Sequence, residues 1–366
     1  MKPMLCMMQE HPNVELQLIA TDQHLNQKFG KTINEIERDF AVAAKVNLQQ
    51  RSGSSVDRAI ALGNCISEMA KTLSILKPDI LLLYGDRGEV IASAISATHL
   101  RIPIGHMQGG DRTGNVDESI RHAVTKLSHL HFVSCEQSAQ RVRGLGEQDN
   151  RIFVVGDHHL DPLFQGEMTA SGELSQKFQL NNERPILCIF HPETIRMRNH
   201  KRDIDIITNE VVRLGKRTMF IYPCSDHGYE EIVEGIESVK HLPKVSIHKN
   251  IDAADFAGLM KIASILVGNS SAGIVEAPFF GLPVVNVDER QLGRMRSENV
   301  IDCEIDAECL SAALKRASSA QFTRTANNCS QPYGNGEAGK ATLEILLHAD
   351  LSAAALLEKT DVLGKP

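Results

Sequence analysis

Short apolar runs alternate along the chain with stretches whose apolar residues recur at every third or fourth position, and this alternation restricts the fold to a parallel α/β sheet. A strand covered on both faces has no reason to alternate with polar residues, and Ile80–Tyr84 reads that way. Just before it, Ala59, Leu62, Ile66, Met69, Leu73 and Leu76 fall on one helical face. Further strands are expected at Val14–Thr21, Ile102–Met107, His131–Ser134 and Ile152–Val155, with helices near Val90–Thr98 and from Asp117 onward. The pattern stops across the polar stretch Gly166–Glu183. It restarts with strands at Pro185–Phe190, Thr218–Tyr222, Val245–His248, Ser264–Val267 and Pro283–Val287, and a last helical stretch covers about Gly336–Glu358. Two such series in 366 residues predict two Rossmann-like domains facing across a cleft: 1–168, 169–340, and a C-terminal helix, 341–366, packing back.

The opening is unusual for this architecture. Met1–Glu10 reads as the later part of a helix that feeds the Val14 strand. The central strand and ligand-facing loop that normally begin a doubly wound domain are not seen before it. The expectation is that Met1 is an internal methionine of a longer native chain.

Charge and cysteine content exclude several classes. A net charge of -7 gives no electrostatic footprint for nucleic acid. No apolar run approaches the roughly 18 residues needed to cross a bilayer, so no membrane partner is expected. The eight cysteines include no C-x-x-C pair, and several sit in apolar runs, so reduced thiols in a cytoplasmic protein without a metal site are expected.

The chemistry-bearing residues cluster after strands, where ligands of open α/β sheets bind. Gly268-Asn269-Ser270-Ser271-Ala272-Gly273 joins a strand to a helix start, whose free N–H groups and dipole suit a phosphate; Glu276 could take ribose hydroxyls. An ordinary Gly/Ser turn is the plain alternative. Gly85-Asp86-Arg87 follows the Ile80 strand and offers a carboxylate and a guanidinium, or simply a surface turn. The densest group is His106 to Asp111 followed by Asp117-Glu118-Ser119-Ile120-Arg121-His122, where Asp117 and Arg121 lie four apart on one helical face and could form an ordinary ion pair. His191 and Arg290 complete the strand-end polar residues.

Together these segments resemble the hydrolysing UDP-N-acetylglucosamine 2-epimerases, which make N-acetylmannosamine or related sugars for sialic-type acids. The stretches that carry the resemblance are Gly85-Asp86-Arg87, Gly114 with Asp117 to Ala123 and on to His129, Gly268 to Glu276, and Arg290-Gln291 with Gly293-Arg294 and Glu298 to Asp302. The resemblance implies a glycosyltransferase-B-like pair of Rossmann halves and a UDP-sugar substrate. It also implies a homo-oligomer (dimer or tetramer) and no cofactor. It implies that Ser270, Ser271 and Gly273 hold phosphate, Glu276 ribose, and Arg290 and Arg87 the diphosphate. His24, Glu118 and Arg121 are implied on the substrate side, and Asp86, Asp111, Asp117 and His191 as catalytic. The implied reaction removes the C2 proton, expels UDP to leave a 2-acetamidoglucal, and adds water; which of those four is the base stays open. Departures from the family pattern are Asp111 for its usual Glu, Cys224 for Asn, Asp157-His158-His159 for small residues, and the absence of an opening strand with its Gly-Thr-Arg loop. A nucleotide-sugar-binding paralogue with weak catalysis and a glycosyltransferase of the same architecture are the alternative readings.

Overall fold

A computed structural model describes residues 1–25, 32–49, 55–112, 117–193, 198–224 and 228–359. The chain divides into two compact units. The first comprises Met1–Asp111, Asp117–His158 and the chain from Glu337 onward; the second comprises His159–Gly336 together with Arg112.

The first unit runs α1 (Lys2–Glu10), β1 (Leu18–Thr21), α2 (Ile33–Asp39), β2 (Val42–Val46), α3 (Ser55–Leu76), β3 (Leu81–Tyr84), α4 (Gly88–Leu100), β4 (Ile104–Met107), α5 (Asp117–Leu127), β5 (Leu130–Val133), α6 (Glu136–Gly144) and β6 (Ile152–Val154). The strand expected from Val14 begins only at Leu18, and β2 was not anticipated. All pairings are parallel, but the strands form two sheets, β1-β2 and β3-β4-β5-β6. Both sheets contribute to one core: Ile19 and Val46 pack in the same cluster as Leu81 and Leu83, under Cys65, Met69 and Leu73 of α3 and Ala94 and Ala97 of α4. β4 and β5 are buried throughout, whereas β3 ends its sheet and keeps only Leu83 fully covered.

The second unit runs α7 (Leu160–Phe164), α8 (Ser171–Lys177), β7 (Ile186–Ile189), α9 (His200–Arg213), β8 (Thr218–Ile221), α10 (Tyr229–Ser238), β9 (Val245–His248), α11 (Ala253–Ile262), β10 (Ile265–Gly268), α12 (Ala272–Val275), β11 (Val284–Val287), β12 (Val300–Cys303), α13 (Ala307–Ala317) and α14 (Ala320–Asn327). The chain then returns to the first unit with α15 (Ala338–His348) and α16 (Ala353–Leu356), so the single closing helix expected from sequence is two helices. The polar stretch after Gly166 contains α8, and β12 was not anticipated.

The second sheet has the order β12-β11-β10-β7-β8-β9, all parallel. Successive residues of β7 feed opposite cores: Ile186 and Cys188 pack with α9, α10 and α13, and Leu187 and Ile189 with Leu174, Leu259 and Met260. That explains its unbroken apolar sequence, since each such side chain contributes about 1.5–3 kcal/mol when removed from water. α9 shows the complementary helical period, burying Ile204, Ile207, Thr208 and Val211, and Asn199 caps it by accepting the Arg202 amide at 3.0 Å. The chain builds outward from β7 through β8 and β9, then restarts beside β7 with β10. The order therefore reverses between β7 and β10, at the point where an open α/β sheet splays and leaves room for a ligand.

Candidate active-site residues in the two units

His191 and Asn269 stand just past the carboxyl ends of β7 and β10, the two strands that flank this reversal. Asn269, fully buried, is tied to the backbone of His191 twice. Its Oδ1 accepts from His191 N at 2.7 Å, and its Nδ2 donates to His191 O at 3.0 Å. The Asn269 carbonyl accepts from Gln291 Nε2 at 2.9 Å and from Arg290 Nη1 at 3.4 Å, so one asparagine gathers β7, β10 and the loop after β11. The His191 ring accepts the Cys224 amide at Nδ1, 3.0 Å away. An amide N–H only donates, so Nδ1 is the acceptor and the proton of the neutral ring lies on Nε2. The His191 ring therefore carries its donor on Nε2.

The phosphate expectation is reshaped by α12. A helix of four residues sums few peptide dipoles, and it passes at once into a 3-10 turn, Ala277–Phe280, containing Pro278. The macrodipole of α12 is therefore weak. Local donors remain: among the described residues, the amides of Ser270 and Ser271 meet no acceptor, while the amides of Gly273, Ile274 and Val275 are used on Ser270 O and Ser271 O. Gly273 faces β11, where a Cβ would come 2.9 Å from Val284 Cγ1, so it is small for packing. Gly268 is the position where backbone demands glycine, with φ 128° and a hypothetical Cβ 1.9 Å from Ile189 O. Glu276 is half-buried one turn beyond Ala272.

In the first unit, Asp86 and Arg121 form an ion pair, with Arg121 Nη2 donating to Asp86 Oδ2. Arg121 is 2% exposed, and its Nη1 donates to Gln108 O at 2.7 Å. The guanidinium thus reaches across to β3 and β4, where the helical spacing had suggested Asp117 as its partner. His106, fully buried, donates from Nε2 to Gly85 O at 2.8 Å and accepts from Thr125 Oγ1 at 3.1 Å. It thereby fastens the turn before Asp86 to α5. Burial pulls the His106 pKa down to about 3, although the Gly85 carbonyl opposes this, so the ring stays neutral.

Asp111 is 2% exposed and accepts from Ser134 Oγ at 2.6 Å and Ser138 Oγ at 2.7 Å. Those bonds tie the β4 loop to α6, beside Gly110, where φ is 75° and a Cβ would come 2.3 Å from Ser138 O, so no side chain fits. Asp117 and Glu118 are half-buried in the first turn of α5. Arg87 precedes α4 with its side chain 43% exposed, 3.9 Å from Glu89. His24 is exposed and lies 2.8 Å from Thr32 Oγ1. Gly114 falls outside the described residues. The structure thus assembles His191, Ser270, Ser271 and Arg290 around Asn269, and Asp86 and Arg121 around Gln108. Asn269 appeared in the sequence only as part of a turn, and Gln108 only as part of a crowded loop.

Residues 7–347 match the family model described as UDP-N-acetylglucosamine 2-epimerase. The chain belongs to that family. Within the epimerase family it is 33% identical to the UDP-N,N'-diacetylbacillosamine 2-epimerase (hydrolyzing) of Legionella pneumophila, over 94% of this chain and 91% of the relative. It is 31% identical to the GDP/UDP-N,N'-diacetylbacillosamine 2-epimerase (hydrolyzing) of Campylobacter jejuni, over 86% of this chain and 83% of that protein. A crystal structure of UDP-GlcNAc 2-epimerase from Neisseria meningitidis bound to UDP-GlcNAc superposes with a TM-score of 0.81 at 21% identity, covering 95% of each chain. The epimerase fold is thus shared, with parallel α/β units as expected. In this family member the Cys224 contact with His191 comes from the backbone, so replacing the usual asparagine side chain leaves that bond available.

Proposed function

We propose that the chain is a hydrolysing 2-epimerase of UDP-2-acetamido sugars, releasing UDP and the free C2-inverted sugar. The observation that carries this reading is the set of donors gathered by Asn269 at the β7/β10 reversal: the His191 ring, the Ser270 and Ser271 amides and the Arg290 guanidinium. Loss of UDP places negative charge on a diphosphate, and donors fixed in advance stabilise a leaving group of that kind. His191, protonated on Nε2, serves as a donor to the diphosphate and not as the base. Glu276 takes the ribose.

The acid–base work falls to a carboxylate, because C2–H is a weak acid and needs a positioned base. Asp111 is 2% exposed, and its Oδ1 accepts from both Ser134 and Ser138, which holds that carboxylate inside the unit. Asp86, aimed by Arg121, is the carboxylate assigned to C2, with Asp117 and Glu118 at the start of α5 serving substrate and water. His24 and Arg87 complete the substrate side. Elimination leaves a 2-acetamidoglucal, and water adds to C1 while the proton returns to C2 from the opposite face. The names of the Legionella and Campylobacter relatives support a 2,4-diacetamido sugar as substrate, with UDP-N-acetylglucosamine as the close alternative. A homo-oligomeric cytoplasmic enzyme is part of this reading.

Incubation with UDP-N,N'-diacetylbacillosamine and, separately, UDP-N-acetylglucosamine tests the proposal. Free UDP and a reducing 2-epimer are expected. Recovery of a UDP-linked 2-epimer, or of no product, would remove the hydrolysing assignment.

A further inference from the structure

Asp157 is 1% exposed in the loop after β6, and its Oδ2 accepts from Gln108 Nε2 at 2.9 Å. A carboxylate so far from water needs partners, and one of them is Gln108. Gln108 has a left-handed backbone, φ 62°, which a residue with a Cβ rarely adopts unless its surroundings hold it there. Three contacts hold it. Its amide donates to Phe132 O at 3.0 Å, its carbonyl accepts from Arg121 Nη1 at 2.7 Å, and its side chain ends on Asp157. The carbonyl orients the guanidinium that in turn pairs with Asp86.

We infer that Asp157 is a positioning residue for the epimerase reaction: through the left-handed Gln108 it sets the Arg121 guanidinium and hence the carboxylate of Asp86. Release of the Gln108 side chain lets its backbone relax, swings the carbonyl away from Arg121 and frees the ion pair to turn. Asp157 is itself anchored by its neighbour. His158 Nε2 donates to Thr342 Oγ1 at 3.1 Å, while Thr342 donates to Ala338 O at 2.8 Å. The catalytic part of this inference rests on the function proposed above; the structural part does not.

The test compares Asp157→Ala, Asp157→Asn, Gln108→Met and Gln108→Gly, with Asp157→Ala also placed in the Gln108→Gly background. Asparagine keeps an acceptor for Gln108 and glycine accepts a left-handed φ without support, so both are expected within about threefold of wild-type kcat. Alanine at 157 and methionine at 108 break the contact from either side and are expected to lower kcat about tenfold or more with KM within about twofold. Asp157→Ala is expected to add nothing once residue 108 is glycine, since the backbone then needs no holder.

Wild-type kcat in Asp157→Ala, or an equal further loss in the glycine background, overturns the inference. Should Asp157→Ala fail to fold, methionine against glycine at position 108 carries the comparison, and equal activities overturn it. Hydrogen exchange at Gln108 and its neighbours is read in parallel. Faster exchange in Asp157→Ala but not in Asp157→Asn is expected, and unchanged exchange refutes the coupling. If the wild type releases no UDP from any sugar, the functional reading falls, while the exchange comparison still decides what Asp157 does.

Discussion

Asn269 holds His191 by both backbone polar groups of a single residue, at 2.7 and 3.0 Å, and so locks the ends of β7 and β10 to each other where the sheet reverses its order. The imidazole projects from that locked backbone with Nδ1 capped by Cys224 N. Its direction is set by two strands, and the place of its proton by a third element through the Cys224 amide.

Removal of that clamp is expected to cost ligand affinity more than fold. Asn269→Ala takes both Asn269 bonds from the backbone of the half-buried His191, at up to about 1–3 kcal/mol each, and lets the ring wander. UDP affinity measured by titration calorimetry is expected to fall about tenfold or more. Asn269→Asp keeps the acceptor but loses the donor and sets a carboxylate against the His191 carbonyl, so it should rescue little. UDP binding by Asn269→Ala at wild-type strength would separate this asparagine from the nucleotide.

Two glycines with positive φ are expected to respond very differently to alanine. At Gly85, φ is 80° but nothing lies within 4 Å of a Cβ, so only backbone strain of about 1–3 kcal/mol applies. At Gly268 the Cβ would meet Ile189 O at 1.9 Å, and β7 or β10 must move. Gly268→Ala is expected to lose more than about 4 kcal/mol, into the range reserved for severe core damage. Chemical denaturation of both variants measures the contrast; similar midpoints would contradict it.

Acid should unfold the first unit in two stages. His106 and His129 are pulled by burial to about 3 and about 4, against an ordinary value of 6.5. The unfolded chain therefore binds protons that the folded chain refuses. Their contribution is complete above pH 6.5 and declines as pH falls toward 3. Burial tends to raise Glu147, but hydrogen bonds from His131, Lys126 and Lys359 outweigh it and bring it down to about 2. That contribution stands above pH 4.5 and is lost as pH falls through 2. Melting temperature is expected to drop from pH 6.5 downward, with a smaller slope in a folded His106→Asn variant. An unchanged slope would show that His106 is not the group that titrates.

Much of this was legible in the order of residue types. The all-apolar runs at Ile186–Ile189 and Leu81–Tyr84 announced parallel strands, because only strands packed on both faces, or built to be, omit the alternation. The strand-end residues Asp86, His191, Ser270 and Arg290 were visible for a related reason: polar groups directly after buried strands mark the carboxyl edge of a sheet. β2 and β12 escaped because Val-Ala-Ala-Lys-Val and Val-Ile-Asp-Cys are too short and too mixed to distinguish from loops.

The succession of the other ten strands and the chemical types at strand ends were legible in the sequence alone, since both depend on local period and composition. Partnership was decided by tertiary structure. Arg121 bypasses Asp117, four residues away on its own helix, for Asp86 and the Gln108 carbonyl; Asp111 turns to two serines; Asn269 becomes the clasp of two strands seventy-eight residues apart. Such choices depend on which desolvated groups meet when the sheets form. A buried donor takes the acceptor that packing brings within reach, whatever its distance along the chain.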